Sequence, residues 1–168
     1  MNGIEYPNQE FPSLFNDGKL VGVKTREPIG YRKAFVKVPY KCIISVSKIK
    51  EHKFLKEILE ENPELFDEDE QSDADQLTLF LFLLYERQRG NVSFWKPYLD
   101  AMPDVEFFCH WDSEIIKETQ DVAVLLHSNQ YGKDLQDEWD LLEPCLRKYP
   151  DVIKEESIDY ELFKKLYG

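Results

Sequence analysis

The stretch DADQLTLFLFLLYERQRGNVSFWKPYLDAMP, residues 73–103, is predicted to be the centre of the fold. Only Thr78 is polar in the nine residues from Leu77 to Tyr85, and this run is too short to cross a bilayer, which needs about 20 residues. Apolar side chains at almost every angle predict a central helix that neighbouring elements cover on most sides. Gly90 is the expected left-handed stop of this helix.

A second hydrophobic piece follows Gly90 at helical spacing. Ser93 is the predicted N-cap of a helix whose apolar positions are Phe94, Trp95, Tyr98 and Leu99. The sequence therefore predicts two helices that meet at a tight corner. We expect the tryptophans of the chain, Trp95 among them, in the core or at an interface rather than in a ligand cage.

Charge is distributed unevenly along the 168 residues. Residues 1–56 hold 11 Lys and Arg against 5 Asp and Glu, whereas residues 57–168 hold 10 against 28, and the formal net charge is −12. Affinity for phosphates depends on cationic contacts, so this balance argues against nonspecific nucleic-acid binding. It favours a protein or a small molecule as the partner.

The first 47 residues have the patterns of an extended arm and a small β unit. Residues 1–18 are predicted to be an arm that packs through Ile4, Tyr6, Phe11, Leu14 and Phe15. Residues 20–27 and 31–39 are predicted strands separated by a turn, and residues 41–47 a third strand. In the second strand, Ala34, Val36 and Val38 share the face expected to be buried.

Helices are predicted for most of the remaining chain, so the fold class is α+β: a small antiparallel β unit at the N-terminus followed by a mainly helical region. Ser47 is the predicted N-cap of a helix from 48 to 61 that Asn62-Pro63 interrupts, with Ile49, Phe54 or Leu55, and Ile58 or Leu59 inward. Asp112 or Ser113 caps a later helix, and Asp159 caps the last one. Between them Leu135, Trp139, Leu142, Leu146 and Tyr149 step by three and four in a long helical region that Gly132 can bend and Pro150 ends.

Ten acidic residues and no basic one lie between Glu57 and Asp75. The run is interpreted as a solvated loop. Binding of a metal ion is the sharper alternative, but the acids lack the alternating spacing and the glycine of a calcium loop, so we expect no metal.

Cysteines and histidines indicate no active site by themselves. Cys42, Cys109 and Cys145 are odd in number and far apart, which is typical of reduced thiols in an intracellular protein, cytoplasmic or nuclear. His110 is adjacent to Cys109, but neighbours on an extended strand point in opposite directions and cannot form a nucleophile–base pair. The sequence opens with no charged-then-apolar leader and has no run of membrane length, so we expect no contact with a membrane.

Four motifs taken together resemble the SET-domain protein methyltransferases, in the branch of the Rubisco large-subunit lysine methyltransferase and the actin-histidine methyltransferase. They are GVKTREPIGYRKAFVKVP (22–39), LFLLYERQRG (81–90), SFWKPYLDAMP (93–103) and FFCHWDSEIIKETQ (107–120). Their order and spacing match the family over roughly residues 20 to 165. The resemblance implies small twisted sheets with a helical insert. It divides the chain into an arm (1–18), an N-terminal SET-like β unit (19–47) and the helical insert (48–168).

The resemblance also implies S-adenosylmethionine as cofactor. In the family the first-strand loop lies against this cofactor, and the matching positions here are Gly22, Val23 and Lys24. Lys24 either pairs with the carboxylate of the cofactor or is simply an exposed strand residue. The family motif usually has two close glycines, and only the second one matches, because Lys19, Leu20 and Val21 precede Gly22.

Two functions of different class follow from the resemblance. The family carries an Asn-His pair and a tyrosine in its carboxy-terminal half, whereas these residues contain no Asn-His dipeptide, so no catalytic residue is assigned. In the first hypothesis the chain is the amino-terminal part of a protein-lysine or protein-histidine methyltransferase. In the second it is a non-catalytic interaction or scaffold subunit that binds a protein partner through the last helix, around Phe163, Leu166 and Tyr167.

Overall fold

The computed structural model describes residues 2–103 and 111–167. The chain divides into two compact units, Met1–Ile44 and Ser45–Gly168. A two-stranded antiparallel sheet lies in the first unit and all the α-helices of the described residues lie in the second, which confirms the α+β class. No helix within these described ranges has both the length and the apolar character needed to cross a membrane.

The sheet consists of β1 (Gln9–Phe15) and β2 (Leu20–Thr25). Antiparallel pairing joins Glu10 to Lys24 and Leu14 to Val21, with an irregularity between Glu10 and Ser13. Asn16, Asp17 and Gly18 have positive φ in the connecting turn, and these residue types tolerate that backbone region better than most. The predicted strand at 20–27 is therefore confirmed, and the stretch predicted as an arm supplies its partner strand.

The other predictions for this unit are wrong. Residues 31–39 form no strand, and only an isolated bridge pairs Lys37 with Glu5. Residues 41–47 contain a 3-10 turn at Tyr40–Cys42 and the start of a helix instead of a third strand. Pro39 precedes the 3-10 turn in extended conformation and has no N–H for a ladder, so turn geometry prevails over the β-branched residues that follow.

Apolar side chains of this unit are largely exposed. The five that were predicted to pack the arm are between 41% and 68% exposed, and Val36 and Val38 are 36% and 43% exposed. The buried positions of β1 are instead Gln9 and Ser13. A sheet of two strands has too little area to cover its own apolar side chains, which explains the difference.

The helical unit is organised around its fourth helix. Its members are α1 (Val46–Lys50), α2 (Lys56–Glu61), α3 (Pro63–Phe66), α4 (Ala74–Gln88), α5 (Lys96–Ala101), α6 (Ser113–Glu118), α7 (Val122–Arg147) and α8 (Tyr160–Tyr167). Helix α4 packs against α1, α3, α5 and α8. Its Leu77, Phe80, Leu81 and Leu84 are at most 2% exposed. The predicted central helix is confirmed.

One long helix was predicted where the structure has α1 and α2. Ser45, and not Ser47, is the N-cap residue of α1, and residues 51–55 form turns between the two helices. This break lets Leu55 be fully buried while Phe54, the alternative inward residue, is 48% exposed. Burial of Ile49, Ile58 and Leu59 is confirmed.

Local capping signals in the second half of the chain are confirmed. Asp112 Oδ1 accepts a hydrogen bond of 2.9 Å from the Glu114 N–H, and Asp159 Oδ1 accepts one of 2.8 Å from the Leu162 N–H. Helix α7 continues through Gly132 and ends at Arg147, so Tyr149 lies beyond it. A glycine costs a helix about 1 kcal/mol, and burial of the predicted apolar residues Leu135, Trp139, Leu142 and Leu146 outweighs this.

Phe163 of α8 is a core residue. It is 0% exposed, and its ring centroid lies 5.1 Å from that of Phe80, 5.2 Å from that of Trp139 and 4.7 Å from that of Tyr167. The prediction that Phe163 contributes to a partner surface is therefore wrong, because helices α4 and α7 already cover it. Leu166 and Tyr167 remain partly exposed.

Candidate functional site

The predicted cofactor positions lie on β2. Gly22 is paired with Ser13 across the sheet, and a Cβ atom at Gly22 would stand 3.1 Å from Cε2 of the Phe15 ring. That distance is shorter than ordinary van der Waals contact, so the absence of a side chain at Gly22 is what lets the ring lie there. The glycine thus has a packing role on the sheet face that it shares with Phe15.

Lys24 lies on the same face of β2 as Gly22, and Val23 lies on the opposite face, because side chains alternate along a strand. The Lys24 Nζ is 3.3 Å from Glu10 Oε2, and both side chains are exposed. Val23 is 55% exposed. An exposed ion pair contributes about 0–1 kcal/mol, so Lys24 can exchange Glu10 for another carboxylate at small cost.

A small cavity lies elsewhere in the same unit. It measures about 140 Å³ and is lined by residues 7–8, 27–30 and 33–35. None of the three predicted cofactor residues lines it. Pockets for cofactor-sized molecules measure about 300–1,000 Å³, so this cavity is too small for S-adenosylmethionine.

A buried carboxylate shapes the corner between α4 and α5. Glu86 is 3% exposed, and its two oxygens accept hydrogen bonds from Ser93 Oγ at 2.5 Å and from Arg89 Nη1 at 2.6 Å. The Ser93 Oγ also accepts a hydrogen bond of 3.0 Å from the Trp95 N–H. Ser93 is therefore not the N-cap of α5, since Trp95 holds that position. Its hydroxyl instead ties the corner to the end of α4.

Beside this corner is a cleft of about 300 Å³ between α4, α5 and α8. Its charged lining residues are Glu86, Arg87, Lys96, Asp100 and Lys165. Lys96 is paired with Asp100 at 2.7 Å, and the Glu86 carboxylate is neutralised by Arg89. Neither His nor Cys lines the cleft among the described residues.

A second group of ionisable side chains lies at the junction of α4, α7 and α8. Asp73, Asp134, Glu138, Tyr131 and Tyr167 line a cavity of about 220 Å³. Burial raises the pKa of Glu138, the hydrogen bond with Tyr167 lowers it, and the nearby Asp73 raises it. Its Oε2 atom is buried and has no hydrogen-bond partner among the described residues. Burial, and then the hydrogen bond to Glu138, raises the pKa of the Tyr167 hydroxyl.

Thiols and metal ligands give no further site in the part of the chain that the structure describes. Burial raises the pKa of the Cys145 thiol to about 11, so it is protonated and shielded at neutral pH. No three His, Cys, Asp or Glu residues of residues 2–103 and 111–167 are arranged to hold a metal ion. Cys109 and His110, and the extended piece predicted around them, lie outside the described residues.

We expect Ser93→Ala to destabilise the protein, because it leaves one oxygen of the buried Glu86 carboxylate without its donor. The free energy of unfolding should fall by about 1–3 kcal/mol. Urea denaturation followed by circular dichroism measures it. Ser72→Ala is the matched control, since the Ser72 side chain is exposed, and a loss no larger than in this control would contradict the structural role of the corner.

The raised pKa of Glu138 predicts a pH-dependent stability. A carboxyl whose pKa is higher in the folded state stabilises the fold below its unfolded pKa, about 4.3, and this contribution disappears as pH rises through the folded value. Glu138→Gln stays neutral at every pH. The stability of this variant relative to the parent protein should therefore increase from pH 4 to pH 7. Urea titrations at each pH measure the free energy of unfolding. The control Glu118→Gln, at an exposed position, should show no such trend. A stability difference between Glu138→Gln and the parent protein that does not change with pH would refute the prediction.

No protein-family model, curated protein or solved structure matches this chain.

Proposed function

We propose that this chain supplies the amino-terminal β unit and helical insert of a SET-type protein methyltransferase, which uses S-adenosylmethionine to methylate a lysine or histidine side chain. The observation that carries the proposal is the corner around Glu86. LFLLYERQRG and SFWKPYLDAMP, two of the motifs that resemble the family, are joined there by the hydrogen bonds of one buried carboxylate. The two motifs thus form one structural unit in this chain.

The order of elements also supports the proposal. A small antiparallel sheet precedes a region of helices, which is the order that the resemblance implies. A third supporting feature is Gly22, which lies in β2 on the same face as the cationic Lys24. Fold alone does not confer function, so the proposal depends on the chemistry of this strand.

In the proposed role, β2 forms one wall of the donor site. Lys24 would release Glu10 and pair with the carboxylate of the cofactor, a charge-assisted hydrogen bond that is stronger than one between neutral groups. Gly22 keeps the neighbouring surface free of a side chain. Methyl transfer also requires a deprotonated acceptor nitrogen held in line with the donor, and we assign no residue of this chain to that step.

The alternative is a scaffold subunit without catalysis. The observation that favours it is the exposed apolar surface of the sheet, where Phe11, Leu14 and Val21 are 65%, 68% and 64% exposed. Leu14 and Val21 are cross-strand partners, so their exposed side chains are adjacent, and exposed apolar patches mark sites of protein association. Under this alternative the β unit binds a protein and no cofactor.

Isothermal titration of S-adenosylmethionine into the 168-residue protein separates the two functions. We expect saturable heat with one site per chain. Lys24→Ala should weaken the affinity about tenfold, because it removes the proposed carboxylate partner, and this factor corresponds to about 1.4 kcal/mol. Lys19→Ala, which removes the same charge from an exposed position just before β2, should leave the affinity unchanged.

Glycine variants sharpen the test. Gly22→Ala should weaken binding, because its new methyl group displaces the Phe15 ring. Gly30→Ala is the matched control, since the nearest atoms to its Cβ would be those of the Lys33 side chain at an ordinary 3.6 Å. Absence of saturable heat at millimolar cofactor, from protein whose circular dichroism confirms that it is folded, would contradict the donor-site proposal and favour the scaffold.

A further inference from the structure

Half-exposed aromatic side chains of the helical unit are connected by ring contacts that run through His52 and the buried Phe82. We name this group of side chains the aromatic surface and define it by Phe54, Phe94, Trp95 and Tyr98, with His52 and Phe82 beneath. Phe54, Phe94 and Tyr98 are 48%, 47% and 51% exposed. This is far more exposure than a core residue has, so the rings are available to a partner.

Ring contacts connect the two ends of the aromatic surface. The His52 ring lies 6.1 Å from those of Phe54 and Phe82, and Phe82 lies 6.3 Å from Trp95. The Trp95 ring in turn lies 5.2 Å from Phe94 and 6.2 Å from Tyr98, with both pairs close to perpendicular. Mutual packing holds these rings in place, so a partner would meet an ordered surface at a low cost in side-chain entropy.

Two lysines lie against rings of the aromatic surface, although the unit as a whole is acidic. Residues 48–56 hold four Lys against one Glu, whereas the whole unit from residue 45 to residue 168 holds 14 Lys and Arg against 29 Asp and Glu. Lys48 Nζ lies 5.9 Å from the centroid of the Trp95 ring, and Lys53 Nζ lies 5.2 Å from that of Phe54. Lys50 and Lys56 are paired with Glu68 and Glu60 at 3.3 and 3.5 Å, so the basic groups that lie against the exposed rings are Lys48 and Lys53.

This combination selects among possible occupants. A cationic ligand such as a methylated ammonium group is disfavoured, because lysines of the chain itself already lie over two of the ring faces. A nucleic acid is disfavoured, because its continuous phosphate charge would be repelled by a unit of formal charge −15. A short acidic peptide has few charges and can place them all against the lysines.

We infer that the aromatic surface binds an acidic segment of a protein partner that carries an aromatic or aliphatic side chain between its carboxylates. The apolar side chain of the partner packs on Phe94, Trp95 and Tyr98, where large aromatic residues supply most of the binding energy. Its carboxylates face Lys48 and Lys53, which sets orientation and speeds association. The inference does not depend on binding of S-adenosylmethionine.

Fluorescence anisotropy with defined peptides tests this inference. The probe is a fluorescein-labelled 12-residue peptide of Gly and Ser with two Phe residues at its centre and two Glu residues on each side of them. Two comparison peptides have Ser in place of Phe, or Lys in place of the acids. We expect saturable binding of the first peptide only, and affinity that decreases as salt is raised, because screening weakens the lysine–carboxylate attraction.

Variants locate the binding surface. Tyr98→Ala and Lys53→Glu should each weaken binding of the acidic Phe peptide at least tenfold, and both side chains are exposed, so the fold should tolerate the changes. The matched controls are Leu126→Ala and Lys133→Glu, at exposed positions of α7, and they should leave the affinity unchanged.

Three outcomes would overturn the inference. The first is equal affinity for the Ser peptide, which would reduce the effect to charge alone. The second is tighter binding of a single-stranded oligonucleotide of equal charge. The third is self-association in sedimentation velocity that Tyr98→Ala abolishes, because a second copy of the chain would then be the occupant.

Discussion

Helix α4 is apolar around most of its circumference, so it can exist in water only while other helices cover it. Four of them do so, and its Leu77, Phe80, Leu81 and Leu84 are almost completely buried. Each of these side chains contributes about 1.5–3 kcal/mol by leaving water. The covering helices α1, α3, α5 and α8 have four to eight residues each, and helices this short are marginal in isolation. Their stability therefore depends on α4.

Glu86, near the C-terminal end of α4, determines how α5 follows α4. Glu86 would be costly to bury as an unpaired charge, and the hydrogen bonds from Ser93 and Arg89 offset that cost. The direction of α5, and with it the placement of Phe94 and Tyr98 at the surface, follows from this requirement. The same corner that supports the methyltransferase proposal thus also presents the rings of the aromatic surface.

The sequence predicted what depends on neighbours along the chain. The central helix, the capping by Asp112 and Asp159 and the apolar stripe of α7 are confirmed because the period of 3.6 and local hydrogen bonds decide them. Strands at 31–47 were wrong, because β-branched residues form a strand only where a partner is available, and Pro39 favours a turn instead. The burial of Phe163 and the approach of Glu138 to Asp73 bring together residues far apart in sequence, and no local pattern reports such contacts.

The candidate site was only partly accessible to sequence reasoning. The motif positions Gly22, Val23 and Lys24 do lie together on one strand, but the ring of Phe15 over Gly22 and the pairing of Lys24 with Glu10 depend on the register of β1 and β2. Glu10 and Phe15 were assigned to an arm, so their contacts with β2 could not be anticipated. The aromatic surface was missed because Phe54 was a candidate core residue, and the signal that could have found it is the cluster of lysines at 48–56.

The helical unit is stable only as a shell around α4, and native-state hydrogen exchange measures this dependence. We expect the amides from Leu77 to Tyr85 to exchange only through global unfolding, with a free energy equal to that of urea denaturation. Exchange of these amides at a free energy several kcal/mol lower, while the amides of α7 stay protected, would contradict it.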